Sequence, residues 1–122
     1  KMSWDKYWAM IKEMERLQTP FKNWIEKKVI PSYKLYLIDN YSPKACEKHI
    51  RTAELFFDRV LHVGFIELDQ IRKDFIQYEF SKWWQTHVMM SNLREKEIVA
   101  SLEILFRFIN VAYKMDIKKF GF

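Results

Sequence analysis

Residues 41–57 read Tyr41-Ser42-Pro43-Lys44-Ala45-Cys46-Glu47-Lys48-His49-Ile50-Arg51-Thr52-Ala53-Glu54-Leu55-Phe56-Phe57. No other stretch of the chain is so clearly punctuated. Ser42 can cap the first free amides of a helix, and Pro43 suits the first helical position, where its missing N–H costs nothing. Cys46, Ile50, Ala53, Phe57 and Val60 or Leu61 then recur every three or four residues, which predicts one buried stripe. Lys44, Lys48 and Arg51 fall on a different face, at i, i+4 and i+7. Gly64 supplies a left-handed stop, so the helix is expected to run from Pro43 to about His62.

The chain around this helix reads as helical throughout. Its 122 residues fit one domain with a real core, and 49% hydrophobic and 17% aromatic residues exclude disorder. Two glycines and three prolines are too few for the many reversals of a sheet. An all-α domain of four to six helices is expected.

Upstream, Ser3 is placed to cap a helix reaching about Gln18, with Trp4, Tyr7, Trp8, Ile11, Met14 and Leu17 on one side. Core packing is the expected fate of that side, because aromatic residues dominate the buried area of small domains. A stacking surface for bases is the other reading. Thr19-Pro20 reads as a new cap and first position, with Phe21, Trp24, Ile25 and Val29 apolar. Lys27 and Lys28 then suit the dipole at a helix end. Pro31 predicts a break or a kink, followed by the apolar run Tyr33 to Ile38.

Downstream, Asp69 is expected to cap a helix of about Gln70 to Thr86. Ile71, Phe75 and Tyr78 mark one stripe on it, and Ile76, Phe80, Trp83 and Trp84 mark a second. Met89 and Met90 lead to Ser91, the expected cap of a last helix lined by Ile98, Leu102, Leu105, Ile109 and Ala112 or Tyr113. The tail from Ile117 to Phe122 has no period.

Signatures of chemistry are sparse. Cys46 is the only cysteine, so neither a disulfide framework nor a cysteine-rich metal site is expected, and a cytoplasmic setting is. Cys46 and His49 share a helix side, but two ligands do not make a zinc site. Two isolated glycines cannot cradle a phosphate. Glu47, Glu54, Asp58, Glu95 and Glu97 sit among cations, as solvated helical carboxylates do. No catalytic residue, metal or cofactor is expected.

No apolar run approaches the roughly 18 residues of a membrane span. Asp5, Lys6, Lys12 and Glu13 break up any leader-like core. Lys1 before Met2 points either to an expression scar or to an internal cut, and in the second case the chain is a fragment of a longer protein. The net charge of +5 is modest. Residues 1–40 hold eight cations and five anions, 41–90 seven of each, and 91–122 six and four. Any binding to nucleic acid therefore needs a local patch, and Lys44, Lys48 and Arg51 are its sharpest candidates.

The Tyr41-Ser42-Pro43-Lys44 opening, with its helix closing on Leu55-Phe56-Phe57, resembles the start of the core-binding domain of tyrosine recombinases (phage integrases). Phe65-Ile66-Glu67-Leu68-Asp69-Gln70-Ile71 looks like that family's turn into its third helix. Ser101-Leu102-Glu103-Ile104-Leu105-Phe106-Arg107-Phe108-Ile109 is similar to its last helix, although Glu103 and Ile104 replace residues that are often basic. The resemblance covers about residues 33–113, with 1–32 as additional N-terminal helices in a single domain of 1–122.

It implies a SAM-like orthogonal bundle forming one half of a clamp on duplex DNA. Lys44, Lys48 and Arg51 would face phosphates, and Arg94 and Lys96 would join them from the last helix. The catalytic constellation that follows this domain in recombinases is absent from the chain. The resemblance therefore implies DNA binding without cleavage, in the setting of DNA integration and recombination. The alternative from the residues alone is a helical protein-interaction module with no nucleic-acid role. Its apolar surface would come from Trp4, Trp8, Trp83 or Trp84, and self-association through those residues would explain the five tryptophans.

Overall fold

The structure, a computed structural model, describes residues 3–88 and 91–122. Among these residues the regular elements are all helical. The expected step through Met89 and Met90 lies outside the described residues.

Residues 4–40 form one unbroken helical run: α1 (Trp4–Trp24), a wide turn of π-helix (Ile25–Val29) and α2 (Ile30–Asn40). This corrects the expected restart at Thr19-Pro20 and the break at Pro31. Ser3 does cap the run, accepting from the Lys6 amide at 3.3 Å. Pro20 and Pro31 lie on exposed positions inside it, where water can reach the carbonyls that proline leaves unpaired. Lys27 and Lys28 therefore sit in mid-run and not at a helix end.

The wide turn follows from the spacing of the core residues. Phe21, Ile25, Val29, Tyr33 and Leu37 recur every four residues, and all five are buried. In a regular helix each step of four overshoots a turn by about 40°, so the stripe would drift by roughly 160°. The π-turn, closed by the Ile30 amide on the Ile25 carbonyl, takes up one extra residue, or about 100° of that drift. One face is thereby kept inward.

The helix α3 (Pro43–Val63) is the centre of the fold and packs on α2 and α5. Its bounds match the expectation closely. Ser42 accepts from the Ala45 amide at 3.3 Å, Pro43 occupies the first turn, and Gly64 stops the helix at φ 107°. The buried side comprises His49, Thr52, Ala53, Phe56, Phe57 and Val60. Cys46, Ile50 and Leu61 from the expected stripe are only half-buried. The Phe56 ring lies 5.2 to 5.9 Å from those of Phe57, Phe75, Phe80 and Phe106.

A short 3-10 turn (Leu68–Gln70) replaces the expected start of the next helix. That helix begins at residue 73, passes through a second π-turn (Phe75–Glu79) and continues as α4 (Phe80–His87). Ile76, Phe80 and Trp84 are buried in steps of four, Trp83 is half-buried and Tyr78 is exposed. The last helix, α5 (Glu95–Tyr113), starts three residues later than a Ser91 cap predicts, with Arg94 at its cap position. Ser91 instead accepts from the Trp84 indole at 2.6 Å and the Leu93 amide at 3.4 Å. Ile98, Leu102, Leu105 and Ile109 are buried as expected, and Ser101 and Phe106 join them.

The aperiodic tail closes the core. Ile117 and Phe120 are buried, the Phe120 ring stands 4.9 Å from that of Phe106, and Gln77 donates to the Phe120 carbonyl at 2.8 Å.

The expected packing of the first aromatic side is overturned. Trp4, Tyr7, Trp8, Met14 and Leu17 are all exposed, and Ile11 is half-buried. Packing of α1 on the bundle starts near Met14, whose side chain ends beside Gly64, and tightens from Gln18 onward. Gln18 donates to the Leu61 and Phe65 carbonyls, and Phe21 enters the core.

Candidate nucleic-acid interface

The cap at Ser42 and the buried side of α3 decide where its cations point. His49, Thr52 and Phe56 face inward, so Lys44, Lys48 and Arg51 are exposed on the other side. They line an open groove of about 850 Å³, together with Ser42, Glu47, Trp84 and the segment Ser91-Asn92-Leu93. Trp84 forms its inner wall and is almost fully buried. Its hydrogen bond to Ser91 ties the connecting segment to α4 and fixes the opposite wall. The Arg51 guanidinium lies over the Trp84 ring at 5.8 Å, a cation–π contact that holds its stem in place.

A second groove of about 560 Å³ meets the first at Arg51 and is lined by Glu54, Leu55, Trp83, His87 and Val88. Trp83 is clasped between the Arg59 guanidinium, 5.1 Å from its ring centroid, and the His87 ring, stacked at 5.5 Å. Arg59 extends the row of cations by two turns, giving a line of roughly 22 Å from position 44 to position 59. Sequence reasoning missed Arg59, although its spacing of eight from Arg51 was the available signal. Asn92 and Ser91 carried no such signal, since only the path of the connecting segment brings them to the groove.

Arg94 and Lys96 are exposed at the start of α5. Neither lines the groove, which ends at Leu93. The five residues of the expected interface thus separate into three that share a groove and two beside it.

Four cations elsewhere are held by carboxylates: Arg16 by Glu13, Arg72 by Glu79, Arg107 by Glu103 and Lys119 by Asp69. Among the described residues, Lys44, Lys48, Arg51 and Arg59 have no carboxylate partner within 4.0 Å. Glu47 and Glu54 lie in the same grooves and weaken the local field without pairing with them.

Behind the groove, His49 Nδ1 meets Ser101 Oγ at 2.8 Å and joins α3 to α5. Burial, and secondarily the neighbouring Lys48 charge, hold its pKa below the usual histidine value. Cys46 donates its thiol to the Leu37 carbonyl at 3.1 Å, so Cys46 and His49 serve separate contacts. Tyr113 packs on Trp24, and its hydroxyl lies 3.3 Å from that of Ser32. Among the described residues no three metal-binding side chains gather in one place. No helix there is long and apolar enough to cross a membrane.

No family model matches the chain, and no curated protein or solved structure is significantly similar to it.

Proposed function

We propose that this domain binds duplex DNA through the outer face of α3 and does not cut it, in the manner of the core-binding half of a tyrosine-recombinase clamp. One observation carries the reading: a row of four cations on one helix, without carboxylate partners among the described residues, three of them lining two joined open grooves. Free cations in a line release counterions when they meet a phosphate backbone. The Arg51 and Arg59 stems, held on Trp84 and Trp83, lose less freedom on binding than loose side chains would. The flanking acids keep the affinity moderate. Ser42 and Asn92, on opposite walls, add neutral donors for phosphate oxygens.

The recombinase likeness adds a SAM-like orthogonal arrangement of the helices, and the lone cysteine a cytoplasmic setting. The likeness also extends the interface to Arg94 and Lys96 beside the groove. Such a domain would hold DNA for chemistry done elsewhere.

Fluorescence anisotropy with a random-sequence duplex across a salt series tests the reading. Micromolar-range binding that weakens steeply with salt is expected. Replacing Lys44, Lys48 and Arg51 together by glutamine should weaken binding at least tenfold at low salt. It should also reduce the slope of log K against log salt by about 3, close to one unit per lost phosphate contact. An unchanged slope in the triple variant would remove α3 from the interface. No binding at low salt would leave the recombinase likeness without a functional meaning. In that case the reading as a protein-interaction module, favoured by the exposed apolar side of α1, would take its place.

A further inference from the structure

The first fourteen residues of α1 carry an apolar side that the other described residues leave largely uncovered, with Ile11 half-buried and the end of Met14 beside Gly64. Trp4 is 73% exposed, Trp8 53%, Met10 52%, Met14 47%, Tyr7 44% and Leu17 43%. Trp4, Tyr7, Ile11 and Met14 alternate by three and four, the spacing of a helix-pairing seam, and Trp8, Met10 and Leu17 flank it. Asp5, Lys6, Lys12, Glu13 and Arg16 lie on the remaining surface, where Arg16 pairs with Glu13 at 2.6 Å.

We propose that this arm pairs antiparallel with the same arm of a second copy of the chain. Three features select a second copy. The first is area. Aromatic side chains carry about 150–250 Å² each, so the six exposed residues offer roughly 700 Å² per copy. That exceeds the patch a typical monomer leaves bare, but Trp8 and Leu17 lie half a turn apart, so one partner helix covers part of it and the pairing is weaker than a standard interface of about 800 Å² per partner.

The second is charge. Asp5, Glu13 and Glu15 balance Lys6, Lys12 and Arg16, so two arms meet without repulsion although the whole chain carries +5. A strongly acidic or basic partner would find no complement here.

The third is shape. The bulky Trp4 and Tyr7 occupy one end of the seam, and the slimmer Ile11 and Met14 the other. In antiparallel order Trp4 of one copy packs on Met14 of the other, and Tyr7 on Ile11, so large always meets small and sulfur meets an aromatic ring. The arrangement is two-fold and closes on itself.

This inference is independent of DNA binding. Its test is the mass of the full chain by light scattering and sedimentation equilibrium from low to high micromolar concentration. Twice the monomer mass is expected at the upper end, with a blue shift of tryptophan emission as Trp4 and Trp8 are covered. Trp4→Glu with Trp8→Lys should abolish the dimer. Both positions are exposed in the single chain, so the variant keeps its far-UV circular dichroism. A wild-type chain that is monomeric throughout, or a dimer that persists in the double variant, would overturn the proposal. Orientation is read by mixing Trp4→Cys and Met14→Cys chains in a Cys46→Ala background. Antiparallel pairing predicts mixed disulfides between the two variants, and predominant Trp4→Cys homodimers would rule it out.

Discussion

Of the three histidines, only His49 is buried by the fold. It is buried, joined to Ser101 across the α3–α5 contact, and its pKa is lowered, mainly by burial. The unfolded chain therefore takes up a proton at this position more readily than the folded one. Stability from the neutral ring is complete above its ordinary value of 6.5 and is lost as pH falls from there toward the lower folded value. Urea midpoints at pH 7.5 and 5.5 should accordingly differ more in the wild type than in His49→Gln, which cannot titrate. An equal difference in both proteins would show that the ring plays no part in the acid response. The sequence puts His49 on the same helix side as Cys46 of the apolar stripe, but names no partner for it. Only the path of α5 brings Ser101 opposite it.

Among the elements, α3 shows what local chemistry can announce. Ser42, Pro43 and Gly64 each act through their own backbone neighbourhood, and the structure keeps all three where the sequence puts them. The close at Gly64 also serves α1, since Gln18 donates to the Leu61 and Phe65 carbonyls on either side of it. Gly64→Ala puts a Cβ at φ 107° and should cost about 1 kcal/mol. Urea unfolding measures that cost, and a stability equal to the wild type would mean the turn relaxes freely. The run from 4 to 40 was harder to read. Pro20 and Pro31 suggest ends, whereas the widened turn answers to a distant demand, that five residues spaced by four reach one core. The apolar side of α1 was legible as a side, but a sequence does not say whether its cover comes from within the chain.

For the molecule as a whole, the tail is what completes the core. Phe120 is fully buried against Phe106, and its carbonyl accepts a hydrogen bond from Gln77 in the second π-turn. Phe120→Ala should cost about 3–5 kcal/mol, a large share of the roughly 5–15 kcal/mol typical of a domain. Thermal unfolding should show a markedly lower and broader transition. A loss below 1 kcal/mol would mean the tail only rests on the surface. Nothing in residues 117–122 foretold this, because two aromatic residues in an irregular segment have no period to detect. The candidate groove was partly legible for the opposite reason. Lys44, Lys48 and Arg51 share one regular helix face, while its second wall depends on how an irregular connection folds back over Trp84.

The wide turn at Ile25–Val29 also has a genetic meaning. It is one residue more than a regular helix needs, and Lys27 and Lys28 within it are exposed. Losing a single codon there would convert the spacing of Phe21, Ile25, Val29, Tyr33 and Leu37 from four-four-four-four to four-three-four-four. A regular helix accepts that pattern on one face. The same in-frame deletion at Lys12 would swing every residue before it by about 100° around the helix axis, carrying Trp4, Tyr7 and Trp8 away from Met14. One short stretch of the gene can therefore change length silently, while its neighbour cannot.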